Sequence, residues 1–162
     1  MSASVRSSDP RRFVLLDTNG VPHDLAGQSS GPVLAAFFKS TCLTCMMTFP
    51  YLERLYQAYG KRGLTVWGVS QDTLDESLAF ASDQGATFPI LLDTAWEASL
   101  AYEVETVPTL FLFDSRGQII HTCASFFKDD LNEIARQVAA QTKSDPVVIA
   151  PPDDGKPRFK PG

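Results

Sequence analysis

The sequence lacks a hydrophobic run long enough to cross a membrane. None of its apolar stretches approaches the roughly 20 residues that a transmembrane helix needs, so we predict no membrane span. Residues 1–12 contain charged side chains but no apolar segment of the kind found in secretory signals. We expect a cytoplasmic location, or an extracytoplasmic one if a leader peptide is removed from the natural gene product.

Basic residues and cysteines are also scarce, and each shortage excludes a class of protein. The 14 Lys and Arg residues are outnumbered by 19 Asp and Glu, giving a formal net charge of −5, and they form no basic stripe. This argues against nucleic acid and anionic membrane surfaces as partners. Three cysteines, an odd number, do not make a disulfide scaffold.

What the sequence does contain is the composition of a globular protein with one domain. Hydrophobic residues make up 44% and charged residues 20% of its 162 residues, and 11 are Phe. We predict a flexible leader at residues 1–11 and a globular domain at 12–143. Residues 144–162 include five prolines, which predicts an extended tail that is ordered only where it docks.

Apolar runs and helical repeats alternate along the chain. The predicted strands span residues 13–16, 21–25, 33–38, 64–69, 89–92, 109–113 and 118–125. The predicted helices span residues 42–59, 73–84, 94–102 and 129–141. This order predicts an α/β fold with a central mixed sheet flanked by helices, preceded by a β-hairpin that turns at Asn19-Gly20.

The two cysteines of the Cys-Leu-Thr-Cys segment at 42–45 directly follow a buried strand and open a helix. Unpaired N–H groups and the positive end of the helix dipole stabilise a thiolate there, and the thiolate is the form that attacks a disulfide. Cys42, at the helix tip, is the expected nucleophile. Cys45, nearly one turn inward, is expected to be covered and to resolve the mixed disulfide. Ser40 and Thr41 are both candidate helix caps.

A second feature is the proline of Val107-Pro108-Thr109, immediately before a predicted strand. Since proline cannot donate a hydrogen bond to a sheet, it belongs at the start or edge of that strand. If its peptide bond is cis, it indicates a tight and specific backbone geometry.

Together these features resemble the thioredoxin superfamily, and more narrowly its TlpA/ResA-like and AhpC/TSA (redoxin) branch. The resemblance implies a thioredoxin-like fold with an extra βα unit inserted between Val69 and Tyr102. It also implies that Pro108 is cis, faces the cysteine pair and helps to present the substrate backbone. The motifs that carry the resemblance are D-x-x-G at 17–20, the strand followed by CxxC, Pro50, G-V-S-x-D at 68–72, F-P-x-L-x-D at 88–93, Y-x-V-x-x-V-P-T at 102–109 and F-D-x-x-G at 113–117.

The function implied by this resemblance is thiol–disulfide exchange. The substrate would be a disulfide-containing protein or small molecule, an external thiol would supply electrons, and neither an organic cofactor nor a metal is required. In a reducing compartment the reductase direction is favoured. The site residues are Cys42, Cys45 and Pro108 for catalysis, and Thr41, Val107 and Thr109 for substrate binding.

The sequence also departs from the family patterns. Thioredoxins have Trp where Thr41 stands and a buried acid where Ala36 stands, and ResA-like proteins often have Glu where Thr48 stands. Neither usual proton-handling carboxylate is therefore present. An AhpC/TSA-type antioxidant peroxidase, in which Cys42 reacts with a hydroperoxide, is the alternative function, although Ala35 and Lys39 occupy two anchor positions of the peroxiredoxin pattern.

The remaining distinctive residues are assigned to packing, with one alternative. His121 and Cys123 lie two apart on one predicted strand and share a face, so a metal-binding thiol module built with the cysteine pair is conceivable. That spacing differs from usual zinc sites, and we expect Cys123 to pack in a partly buried position. Trp67 and Trp96 are both expected in the core.

Overall fold

The computed structural model of the protein describes residues 12–27 and 30–162, so the predicted leader lies outside the described residues. The strands are β1 (Val14–Leu16), β2 (Pro22–Asp24), β3 (Val33–Phe38), β4 (Thr65–Ser70), β5 (Ile90–Leu92), β6 (Thr109–Phe113), β7 (Ile119–Ala124), β8 (Phe126–Phe127) and β9 (Phe159–Lys160). The helices are α1 (Leu43–Tyr59), α2 (Leu74–Gln84), α3 (Glu97–Ala101) and α4 (Lys128–Thr142).

Five of these strands form the central sheet, in the order β5-β4-β3-β6-β7. Strands β3, β4 and β5 run parallel, whereas β6 is antiparallel to both β3 and β7. The predicted mixed sheet is confirmed, as is the N-terminal hairpin of β1 and β2. Every residue of β3 is buried, because β3 is the middle strand and both faces of the sheet are covered.

Each face of the sheet has its own apolar core. On one face, α1, α2 and α4 pack against alternate residues of β3, and Phe38 meets Phe49 and Phe80 with ring centroids 4.6 and 4.8 Å apart. On the other face, the hairpin and α3 cover Phe37 and Trp67. Since both cores hold β3 in place and one of them holds α1, the junction between β3 and α1 is a rigid position for a functional group.

One core prediction is wrong. Trp67 is 1% exposed, but Trp96 is 39% exposed and does not lie in the core. Trp96 precedes α3 in the left-handed region, with φ of 61°, and this turn directs it to the surface. Its ring lies 4.8 Å from the Lys39 ammonium, in a cation–π contact.

The proline-rich tail is docked along the body of the protein. Ile149 and Ala150 are 3% and 2% exposed, and the Asn132 side chain of α4 hydrogen-bonds the backbone of both. Further on, β9 pairs with β8. Among residues 12–27 and 30–162, no helix is both long and apolar enough to span a bilayer.

Candidate active site

Cys42 occupies the N-cap position of α1. Its backbone is extended, with φ −92° and ψ 113°, and its Sγ accepts a hydrogen bond from the Cys45 N–H at 3.0 Å. Its carbonyl accepts the first helical hydrogen bond, from Met46 N–H at 3.1 Å. The expectation of a Ser40 or Thr41 cap is therefore wrong, because the sulfur of Cys42 itself satisfies an otherwise unpaired helix N–H.

The two cysteines differ in exposure, as the sequence predicts. Cys42 is partly exposed, whereas Cys45 is 0% exposed. The Cys42 thiol also donates to the Val107 carbonyl oxygen at 3.4 Å. The Val107–Pro108 peptide bond is cis, so the cis-proline loop lies directly beside the outer sulfur.

The buried sulfur is held as a thiol. Burial raises the pKa of Cys45, and the hydrogen bond with Cys42 and the negative charge of Asp72 raise it further. Asp72 follows β4, and its carboxylate accepts a hydrogen bond from the Ser40 N–H. Thr48 stands where ResA-like proteins often have a glutamate. It is buried and donates to the Thr44 carbonyl oxygen at 2.8 Å. Neither Ala36 nor Thr48 supplies a carboxylate at these positions, and the Asp72 charge adds only a minor upward effect on the pKa of Cys45, after burial and the Cys42 hydrogen bond.

A groove of about 460 Å³ opens beside Cys42. Of the residues predicted to bind substrate, Val107 lines the groove. Thr41 is exposed outside the groove lining, and Thr109 is buried, with its hydroxyl donating to the Thr106 carbonyl oxygen at 2.7 Å. Pro108 is buried behind Val107.

Several groove residues were not predicted from the sequence. The lining of the groove includes Lys39, Trp96, Gln71 and Glu105. The Gln71 amide donates to the Ser99 hydroxyl at 2.9 Å. Gly162, at the far end of the tail, lines the groove as well. Except for Lys39, which lies three residues before Cys42, these positions have no local signal in the sequence, because they meet the site only through contacts between distant segments.

The third cysteine lies apart from this arrangement. Cys123 is 3% exposed, and burial, together with Asp130, raises the pKa of its thiol to about 12. Its neighbour His121 contacts the Asp130 carboxylate at 2.9 Å. The described part of the chain contains no group of three or more His, Cys, Asp or Glu side chains that could hold a metal ion.

The sequence is similar to those of known thiol-disulfide oxidoreductases. The thiol-disulfide oxidoreductase ResA of Geobacillus kaustophilus is 34% identical over 108 residues, which are 66% of this chain and 62% of that protein. The ResA of Bacillus subtilis is 31% identical over 116 residues, which are 70% of this chain and 64% of that protein. The chain therefore spans a little over three fifths of the length of these curated relatives.

A solved structure shows the fold independently. The thioredoxin domain of a thiol-disulfide oxidoreductase from Bacteroides vulgatus superposes with a TM-score of 0.70 at 24% identity, covering 78% of this chain and 93% of that one. The predicted thioredoxin-like fold is confirmed. The model of the AhpC/TSA family matches residues 9–122, which is more than half of the sequence, and the chain belongs to that family.

Proposed function

We propose that this protein is a thiol–disulfide oxidoreductase in which Cys42 is the nucleophile and Cys45 the resolving cysteine. The observation that supports this most directly is the position of the Cys42 sulfur. It is partly exposed at the tip of α1, in a hydrogen bond with the Cys45 N–H, while the Cys45 sulfur lies just beneath it in the core. The names of the two ResA relatives point to the same chemistry.

The reaction has two exchange steps. The Cys42 thiolate attacks one sulfur of the substrate disulfide, a Cys42–substrate disulfide forms, and the other substrate sulfur leaves as a thiolate. Cys45 then loses its proton and attacks the Cys42 sulfur, which forms the Cys42–Cys45 disulfide and releases the second substrate thiol. Two electrons pass from the cysteine pair to the substrate, and an external thiol returns them in the next cycle.

Of the residues predicted to act on the substrate, we assign this role to Val107, which lines the groove, with the buried Pro108 next to it; Thr41 and Thr109 lie outside the groove lining. The Val107 carbonyl oxygen, which accepts from the Cys42 thiol at 3.4 Å, is an acceptor that an incoming peptide N–H could use beside the outer sulfur. The substrate is a disulfide in a protein or small molecule, and the groove beside Cys42 gives it access. The chemistry needs no metal or organic cofactor, because sulfur supplies both the nucleophile and the electron pair.

Membership of the AhpC/TSA family makes a peroxidase the second candidate. In that case the Cys42 thiolate attacks a hydroperoxide oxygen, water or an alcohol leaves, and the resulting sulfenic acid condenses with Cys45. Because Ala35 and Lys39 replace two anchor residues of the peroxiredoxin pattern, we place disulfide exchange first.

One experiment separates the two functions. Reduced protein is mixed in parallel with the aryl disulfide DTNB and with hydrogen peroxide, and loss of the Cys42 thiol is timed by rapid quench and mass spectrometry. We expect fast reaction with DTNB, slow reaction with peroxide, and a product that is two hydrogens lighter from a Cys42–Cys45 bond. Faster consumption of peroxide than of DTNB would establish the peroxidase, and failure to form the linked pair with either oxidant would exclude both mechanisms.

The raised pKa of Cys45 predicts a pH-dependent resolving step. Below its pKa, the thiolate fraction of a cysteine rises about tenfold with each pH unit, so attack by Cys45 should accelerate about tenfold per unit between roughly pH 7 and pH 9. Stopped-flow absorbance with limiting DTNB measures this as the release of the second aryl thiolate. The Cys45→Ser variant is the control and should lack that second phase, and a wild-type second phase that does not change with pH would contradict the prediction.

A further inference from the structure

The last residues of the tail run as an extended strand beside the groove, and Gly162 of this segment lines it. Phe159 and Lys160 of β9 lie opposite Phe127 and Phe126 of β8 in antiparallel register. The Lys128 N–H extends the pairing by donating to the Arg158 carbonyl oxygen at 2.9 Å. This is the geometry by which one polypeptide adds a strand to the exposed edge of another.

Beyond β9 the chain crosses the tip of the CxxC helix. The Thr44 hydroxyl, from inside the CxxC motif, donates to the Pro161 carbonyl oxygen at 2.6 Å, and the Gly162 N–H donates to the Ser125 hydroxyl at 3.0 Å. Gly162 lies so close to the Val107 carbonyl oxygen that a Cβ at this position would overlap it. That oxygen is the one that accepts from the Cys42 thiol, so the tail reaches the immediate surroundings of the outer sulfur.

The two halves of the tail are held very differently. Residues 145–154 form an anchor, in which Asn132 binds the buried backbone of Ile149 and Ala150, and Asp154 accepts from the buried Lys128 at 2.6 Å and from Tyr51. By contrast, Phe159 is 50% exposed, and the Arg158 side chain, paired with Asp129, is 73% exposed. Exposed ion pairs contribute little to stability, so the side chains of residues 158 and 159 hold this segment less firmly than the buried contacts hold the anchor.

We propose that residues 158–162 form a strap that occupies the polypeptide-binding part of the groove, and that a disulfide-bearing protein substrate binds as an extended strand against β8 by displacing it. The contacts of the strap indicate which features of a polypeptide the surface around β8 can bind. It pairs main chain with main chain along β8, packs the Phe159 ring edge-to-face against Phe127 with centroids 5.7 Å apart, and places Arg158 against Asp129. The inference rests on the proposed function, because it names the substrate class of the same site.

The strap discriminates between large and small substrates. The groove remains open beside Cys42 with the strap in place, so a small disulfide reaches the sulfur without moving it. A polypeptide must take the place of the strap. Its apparent dissociation constant is therefore the intrinsic one divided by the fraction of molecules in which the strap is open.

The first test loosens the strap in the full chain. The double variant Arg158→Ala/Phe159→Ala removes the Asp129 pair and the ring contact with Phe127, and it should raise kcat/KM for insulin reduction about fivefold while leaving the rate with DTNB unchanged. Lys156→Ala is the matched control, since it also removes a tail cation but lies outside the strap, and it should change neither rate. Equal gains or no gain on both substrates would overturn the strap, whereas no reaction of wild type with DTNB would overturn the proposed function instead.

A second test detects displacement without measuring activity. The Cys45→Ser variant is trapped as a mixed disulfide, in one sample with a cysteine-containing peptide of roughly ten residues and in the other with a small thiol. Trypsin should then cut the Arg158–Phe159 bond about fivefold faster in the peptide-loaded sample, as followed by mass spectrometry. Equal cleavage rates in the two samples would show that a polypeptide binds without moving the strap.

Discussion

Replacing Cys42 by serine should reduce insulin and DTNB turnover to the level of the uncatalysed control. A serine hydroxyl is not ionised near neutral pH and does not attack disulfides, whereas the thiolate is the form that does. Cys45→Ser should behave differently, because its nucleophile is intact but its resolving group is missing. It should accumulate a covalent complex with substrate through Cys42, visible by mass spectrometry and on a non-reducing gel.

Cys123→Ser is the matched control for both variants. Cys123 is buried on β7, outside the groove, and its Sγ donates to the Ser125 carbonyl oxygen at 3.6 Å. Its loss should leave turnover near that of wild type. Wild-type activity in the Cys42→Ser variant, or a covalent complex formed through a residue other than Cys42, would refute the assignment of the nucleophile.

Asn132→Ala should lower the free energy of unfolding by about 2–4 kcal/mol. The Asn132 side-chain oxygen accepts from the Ile149 and Ala150 N–H groups at 3.1 and 2.9 Å, and its amide donates to the Ala150 carbonyl oxygen at 2.9 Å. Removing the side chain leaves these polar groups without partners in a region that is 2–3% exposed, and an unpaired buried group costs more than the bond itself contributes.

Equilibrium unfolding in urea measures the change. The control Gln137→Ala lies on the same helix, where the half-buried side chain donates one hydrogen bond to the Glu133 carboxylate at 3.0 Å, and should stay within about 0.5 kcal/mol of wild type. If Asn132→Ala were as stable as Gln137→Ala, the tail anchor would contribute nothing to the folded state.

The central fold was predictable because its signals are local. The apolar run at 33–38 must be buried on both faces, and the repeat at 42–59 must form a helix, so the order of strands and helices follows from the sequence itself. The position of the cysteine pair follows in the same way, since a CxxC between a buried strand and a helix has only one place in this fold.

The features that were not predicted depend on contacts between distant residues. No pattern in the tail indicates that Asn132 binds residues 149 and 150, or that Thr44 meets Pro161, because these pairs are far apart in sequence. The cap of α1 was assigned to hydroxyl side chains by propensity, but the Ser40 N–H is bound to Asp72, and a sulfur takes the cap. Trp96 was expected in the core together with Trp67, but a left-handed turn directs its ring outward.

Because Trp96 is exposed at the groove, its fluorescence reports whether the groove is occupied. Of the two indole rings, the one at Trp67 is sealed from solvent, while that of Trp96 borders the groove beneath the Lys39 ammonium. A soluble quencher therefore reaches essentially one fluorophore, and any molecule that settles beside Cys42 shields it. Occupancy of the site can be followed by intrinsic emission in the unlabelled protein, before any sulfur has reacted.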